Sequence, residues 1–326
     1  MIIARSPLRI SLGGGGTDIP SYYVENGGYV IAASIDKYVY VNVNRPFYKG
    51  IHLKYSQSEL ARNAGEVKHP IIREVLAMLD IHDPQIEISS LADIPAGTGL
   101  GSSGSFTTAL IKAVYTHFQK VIHPKELAEL ACHIEIERLN EPIGKQDQYI
   151  SAFGGISEFV FEKTGEVKAN ALTLSMDTIH DLEDHLLLFF TGQSRSASMI
   201  LQNQVQKSLE GDLKMRTNLD EIKQIGFKTR ELLTNGKTRE FGSLLNDHWA
   251  LKKSRGDELS NSVIDNIYEK AMKSGALGGK LIGAGGGGFL MFYASDTEKL
   301  KSAMKKIGAQ EVRFRFDFEG TKIIMT

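Results

Sequence analysis

A chain of 326 residues with one cysteine cannot close an intrachain disulfide, and Cys132 alone excludes a cysteine-rich metal site. Its helical setting reads as that of a small buried hydrophobe. Charge of one sign is also lacking: 38 Lys and Arg stand against 39 Asp and Glu, a formal net charge of −1. That balance advertises neither a nucleic acid nor an anionic membrane as partner, so any anionic ligand must be held by local groups. No stretch reaches the ~20 apolar residues of a membrane helix. The opening MIIARSPLRISL has no long apolar run followed by a small-residue cleavage site. A cytoplasmic location without a membrane partner is therefore expected. Repeats, low-complexity tracts and Gly/Ser linkers are absent too. The remainder is ordinary globular composition, 42% hydrophobic and 24% charged, at a length for one large domain or two intimate ones.

Glycine is plentiful instead: 32 residues, many in three short clusters. Around them, residues 2–12, 28–45 and 85–90 carry strand signals, and 103–118 and 124–139 have helical periodicity. HLLLFFTG, residues 185–192, reads as a strand. Three or four helices are expected between 194 and 274. Strands near 279–284, 288–294, 310–317 and 321–325 and a helix at 296–308 close the chain. Without regular βαβ alternation the expected class is α+β. A division near residue 180 would give units 1–180 and 181–326.

The most informative cluster is IPAGTGLGSSGSF, residues 94–106, which runs straight into the 103–118 helix. Pro95, Gly97, Gly99, Leu100, Gly101, Ser102, Ser103 and Gly104 together suit a triphosphate. Glycines allow close approach of backbone, and the first-turn N–H groups and the helix dipole favour an anion. One serine could reach a phosphate-bound Mg²⁺. A plain turn with a serine N-cap is the alternative. The segment does not follow the Walker pattern, since no Lys-Ser/Thr follows its last glycine.

In LGGGGTD, residues 12–18, four glycines clear the space beside Thr17 and Asp18, so that Gly15, Gly16, Thr17 and Asp18 form a candidate sugar site. The alternative is a solvated loop. The third cluster, GGKLIGAGGGGF, offers Gly285 and Gly286 or simply a hairpin turn. Between them, Glu135 lies four residues beyond Ala131 and eight beyond Leu127, inside the helix's apolar sector. An inward carboxylate there needs a cation, from Mg²⁺-nucleotide or from Arg138 or Lys145. Glu137 is easier to solvate. Asp147, between Gln146 and Gln148, is a candidate base for an acceptor hydroxyl or an N-cap for a helix starting at Gln148.

These segments, in this order, resemble those of the GHMP kinases over almost the whole chain. SPLRISLGGGGTD resembles the first family motif, PAGTGLGSSGS the second and GGKLIGAGGGGF the third. The resemblance implies an N-terminal domain like ribosomal protein S5 domain 2 and a ferredoxin-like C-terminal domain. It implies ATP and Mg²⁺, with Asp147 as catalytic aspartate, Arg9 beside it, Asp18 on the sugar, and Ser103 and Glu135 on the metal. The wording is most similar to the branch that phosphorylates the anomeric hydroxyl of a heptose 7-phosphate on the way to GDP-heptose. A phosphosugar needs cations, for which Lys145 and Arg195 are candidates. Departures are Leu8 for Gly, glycine for Glu-His before Thr17, and Gly104 for Ala. A neutral-sugar kinase, for L-fucose for instance, a silent sugar-binding protein and a decarboxylase are the other readings. A homodimer stays open.

Overall fold

In the computed structural model, residues 1–79, 84–194 and 197–326 are described. The chain opens with β1 (Ile2–Gly13), α1 (Pro20–Asn26), β2 (Gly28–Asn44), β3 (Gly50–Lys54), β4 (Ser58–Ala61), α2 (Pro70–Met78) and β5 (Gln85–Ala92). There follow α3 (Ser102–His117), α4 (Pro124–Cys132), α5 (Gln146–Phe153), β6 (Ile156–Phe161), β7 (Val167–Ala171), α6 (Met176–His185) and β8 (Leu186–Phe190). The remainder is helical from α7 (Ala197–Leu209) through α8 (Leu213–Thr234), α9 (Thr238–Lys253) and α10 (Ser262–Met272). It closes with β9 (Ala276–Leu281), β10 (Phe289–Ala294), α11 (Thr297–Lys306), β11 (Gln310–Val312) and β12 (Lys322–Met325). Among the described residues no helix is long and apolar enough to cross a membrane.

Two sheets organise the molecule. The first runs β12-β1-β2-β5-β3-β4, with β6 and β7 continuing from β2; the second runs β11-β8-β10-β9. The long strand β2 pairs with β1 on one edge and serves two neighbours on the other: Gly28–Ala33 pairs with β6 and Val39–Asn44 with β5. Most pairs are antiparallel, but β3 and β5 are parallel, with α2 in the connection. The α+β class expected from the sequence is therefore what the chain forms.

Alternating apolar residues explain the layers, because successive strand side chains face opposite ways. Ala4, Val30, Ala32, Val41 and Val43 pack with Ala109, Leu110 and Ala113 of α3 in one core. The other face, Leu8, Ile10, Leu12, Tyr29 and Ile31, packs with Ile225, Leu233, Phe241, Leu245 and Met291 in a second core. That core belongs to both halves and fixes their relative position. A third core, with Trp249, Phe292, Leu300 and Met304, lies under the second sheet.

The structure departs from the sequence reading at three places. The expected helix 124–139 is α-helical only to Cys132; His133–Arg138 continues as a π-helical stretch carrying Glu135. The sequence-based division at residue 180 falls inside α6, and β12, from the chain's end, pairs with β1. The first sheet thus takes a strand from the far end of the chain. Of the expected strand 310–317, Gln310–Val312 pairs with β8, and Phe316 forms a single antiparallel bridge with Ile35 of β2.

Candidate active site

The first two glycine clusters and part of the third meet at a cavity of about 790 Å³ between the halves. One part of its wall is the turn before α3. Gly97, Gly99 and Gly101 there have φ of 76°, 83° and 77°, left-handed values that residues with a Cβ adopt at a cost. Gly101 is the N-cap of α3 and supplies no side-chain acceptor. The serines are therefore not the cap: Ser102 and Ser103 sit inside the first turn, whose N–H groups remain available to an anion. Ala96, Gly97, Gly99, Gly101, Ser102, Ser103 and Gly104 all line the cavity. Pro95 does not, and Leu100 buries its side chain in the core while its carbonyl accepts from Arg9 N at 2.9 Å.

Glu135 is 1% exposed and faces the same cavity. Ser103 Oγ donates to one carboxylate oxygen and Gln148 Nε2 to the other at 2.6 Å. Burial outweighs these two bonds and pushes its pKa up to about 7. Neither Arg138, which pairs with Glu74, nor Lys145 reaches it. Glu137 points outward and meets His133 at 2.7 Å. Among the described residues no cluster of three or more His, Cys, Asp or Glu could hold a metal alone. Ser103 and Glu135 do fit a Mg²⁺ that also takes phosphate oxygens, since that ion binds proteins through one or two carboxylates and keeps its other positions for phosphate and water.

Asp147 lies in the first turn of α5, one residue inside the helix rather than at its cap. Arg9 grips it from β1: Nε donates to Oδ1 and Nη2 to Oδ2, each at 2.7 Å. Arg9 Nη1 also donates to the carbonyl of Gly99, tying aspartate to phosphate loop. Gln146 adds a bond to Oδ1 at 3.2 Å. Asp147 Oδ2 carries the Arg9 bond alone and keeps a lone pair for a hydroxyl. Gly104 lets α3 approach α5, since a Cβ there would lie 3.0 Å from Asp147 Cβ.

Asp18 is buried on the cavity wall, accepting from Gly16 N and Gln146 N, both at 3.0 Å. Burial raises its pKa. Ser11 Oγ, Gln146 Oε1 and Gln148 Oε1, all buried on this cavity, have no partner within the protein. Such orphaned polar atoms fit a ligand rich in hydroxyls.

Several sequence expectations land elsewhere. Thr17 pins the glycine loop to β2 through the carbonyls of Gly14 and Tyr29, both at 2.9 Å, and does not line the cavity. Gly285 and Gly286 pack on Leu259, whose carbonyl accepts from Gly286 N at 3.0 Å; Gly283 and Ala284 line the cavity in their place. Lys145 Nζ donates to Gly165 O at 2.8 Å and sits over the Tyr23 ring, away from the wall. Arg195 lies outside the described residues. Missed altogether were four cavity-lining groups of the second half: His248, Lys252, Arg255 and Lys280. KKSR at the end of a polar helix reads as a solvated face, and only packing distinguishes Lys252 from exposed Lys253.

Comparison with known proteins agrees with this geometry. The model of the GHMP kinases N terminal domain matches residues 67–155, and that of the GHMP kinases C terminal domain matches 229–310. A D-glycero-alpha-D-manno-heptose 7-phosphate kinase of Campylobacter jejuni is 31% identical over 98% of both chains. A bifunctional fucokinase/GDP-fucose pyrophosphorylase of Arabidopsis thaliana is 26% identical over 92% of this chain and 30% of its own length. Among solved structures, a D-glycero-D-manno-heptose 1-phosphate kinase from Bacteroides thetaiotaomicron superposes with a TM-score of 0.82. It is 24% identical, with 100% of this chain and 99% of the other covered.

Proposed function

The chain belongs to the GHMP kinase family and is a sugar kinase of that type; from this premise we propose that it uses ATP to phosphorylate the anomeric hydroxyl of D-glycero-D-manno-heptose 7-phosphate. The product is the 1,7-bisphosphate, a step toward GDP-heptose. The observation that carries the reading is the Arg9–Asp147 pair, held at 2.7 Å on both oxygens and facing the cavity that the first turn of α3 and Asp18 also face.

The residues divide the work. The open N–H groups of α3 and the glycines before it hold the triphosphate. The apolar lining from Tyr55, Pro70, Ile71, Leu91 and Phe106 takes the nucleobase. Asp18, Ser11, Gln146 and Gln148 hold the sugar. Asp147 Oδ2 accepts the acceptor hydroxyl's proton as its oxygen bonds to the γ-phosphorus and the bond to ADP breaks, while Arg9 keeps the carboxylate oriented. Ser103 and Glu135 would hold Mg²⁺, which when bound supplies positive charge to the phosphates.

The test is a coupled ADP-release assay on heptose 7-phosphate, mannose 6-phosphate, L-fucose and galactose. The expected result is a kcat/KM highest for heptose 7-phosphate. Turnover of fucose with none of heptose 7-phosphate would replace this substrate by a neutral sugar.

A further inference from the structure

His248 and Lys252 are four residues apart on α9 and so share one side of it, and Arg255 lies in the turn just beyond the helix end. Lys280 of β9 reaches the same place, with Nζ 3.1 Å from His248 Nδ1. His248 and Lys280 are each 3% exposed and Lys252 8%. Lys252 Nζ donates to the carbonyls of Leu281, at 3.0 Å, and Gly283. Arg255 donates to Asn218 Oδ1 at 2.7 Å and Gln204 Oε1 at 3.1 Å. Among the described residues, no salt bridge joins Lys252, Lys280 or Arg255 to a carboxylate. Yet all four residues line the cavity.

Buried amines without a counter-charge are costly, and a fold that keeps Lys252 and Lys280 on a ligand wall, beside a half-buried Arg255 whose nearest opposite charge is Asp18, is organised around an anion from outside. Burial pushes the Lys252 amine down to about 7 and holds Lys280 well below its usual value. An arriving anion would restore both charges. ATP already has the first turn of α3 for its phosphates. Arg255 instead adjoins the sugar loop: its guanidinium lies within 3.5 Å of the Gly15 carbonyl, and a Cβ on Gly16 would sit 2.9 Å from Nη1.

We propose that His248, Lys252, Arg255 and Lys280 form a second anion site, which receives the phosphate that the sugar carries before the reaction. The proposal rests on the kinase reading and assigns the residues that make it selective for a phosphosugar. It supplies the role for which Lys145 is misdirected.

The test compares Arg255→Gln, Lys252→Gln and Lys280→Met with the parent on heptose 7-phosphate and unphosphorylated heptose, and measures the KM for ATP. A charge-assisted contact contributes about 1.5–3 kcal/mol, so each variant should lose about 10- to 150-fold in kcat/KM on the phosphosugar. On the neutral sugar the change should stay within about threefold, with the KM for ATP unmoved. Lys280→Met removes a buried amine that has no carboxylate partner, and its melting temperature should equal or exceed the parent's. Equal losses on both sugars, a raised KM for ATP, or a melting temperature lowered in all three variants overturns the anion site and leaves the kinase standing. A parent enzyme that prefers the neutral sugar overturns the phosphosugar reading itself.

Discussion

Asp147 and Glu135 are carboxylates on one cavity with opposite surroundings. The first is gripped by a guanidinium; the second has only neutral donors, Ser103 and Gln148. Asp147→Asn keeps the size of the side chain but cannot accept a proton. Its kcat should fall by about 10²–10⁴, the range for general-base help, while ATP binding by titration calorimetry is unchanged. Glu135 must be ionised to take Mg²⁺. With its pKa raised to about 7 in the metal-free protein, protonation competes below that value. The Mg²⁺ concentration for half-maximal rate should therefore rise by up to about tenfold per pH unit below 7 and level off above it. Glu135→Gln should raise that requirement at every pH; Glu137→Gln, on the outer surface, should not. The inward face of Glu135 was legible from its spacing to Leu127 and Ala131. The grip of Arg9 on Asp147 was not readable from spacing, because 138 residues separate the pair. Only the family motifs suggested it. Lys252, Lys280 and Arg255 stayed hidden because lysine and arginine at the ends of helices and strands are usually solvated, and burial is decided by elements far along the chain.

At the scale of elements, the three glycine clusters have different tasks. The first frames Asp18, the second opens the N-terminus of α3, and much of the third supports the second. A Cβ on Gly288 would meet the Thr98 carbonyl at 2.2 Å, and one on Gly283 would meet Gly99 Cα at 2.5 Å. Both glycines also have positive φ, 99° and 80°. The loop between β9 and β10 is thus moulded onto the back of the phosphate loop. Gly288→Ala should displace Thr98 and its neighbours, at a cost of about 1–3 kcal/mol for the backbone strain alone. The expected outcome is a KM for ATP raised by about 10-fold or more, with a smaller change in sugar KM. Equal changes in the two would refute that support role. A loop between two strands was legible in the sequence; the surface it leans on was not, since glycines have no side chain to reveal a partner. The π-helical stretch at Glu135 was equally silent, because its residues fit an α-helical pattern as well.

At the scale of the molecule, the halves share a core and the end of the chain returns to its beginning. Thr321 Oγ1 lies 2.8 Å from Ser6 Oγ and donates to Ser151 O at 2.8 Å; with Thr108 these form a buried hydroxyl group of β1, α3, α5 and the C-terminal segment. Thr321→Val removes the donor to the Ser151 carbonyl and leaves Ser6 Oγ with Thr108 alone, at about 1–3 kcal/mol for the unsatisfied carbonyl. The melting temperature should drop measurably, with the KM values unchanged. An unaltered melting temperature would show that the closure contributes nothing to stability.

That closure also orders events in time. β1 leaves the ribosome well before β12, and at roughly 5–20 residues/s the stretch between them takes about 15–60 s to be made. Until β12 emerges the outer edge of β1 lacks that neighbour, so the first sheet is completed only once β12 has been made. Until then an extended apolar strand is open to another nascent chain. The half of the protein that is made first is thereby the half that finishes last, and a peptide fused after Thr326 extends from the strand that seals it.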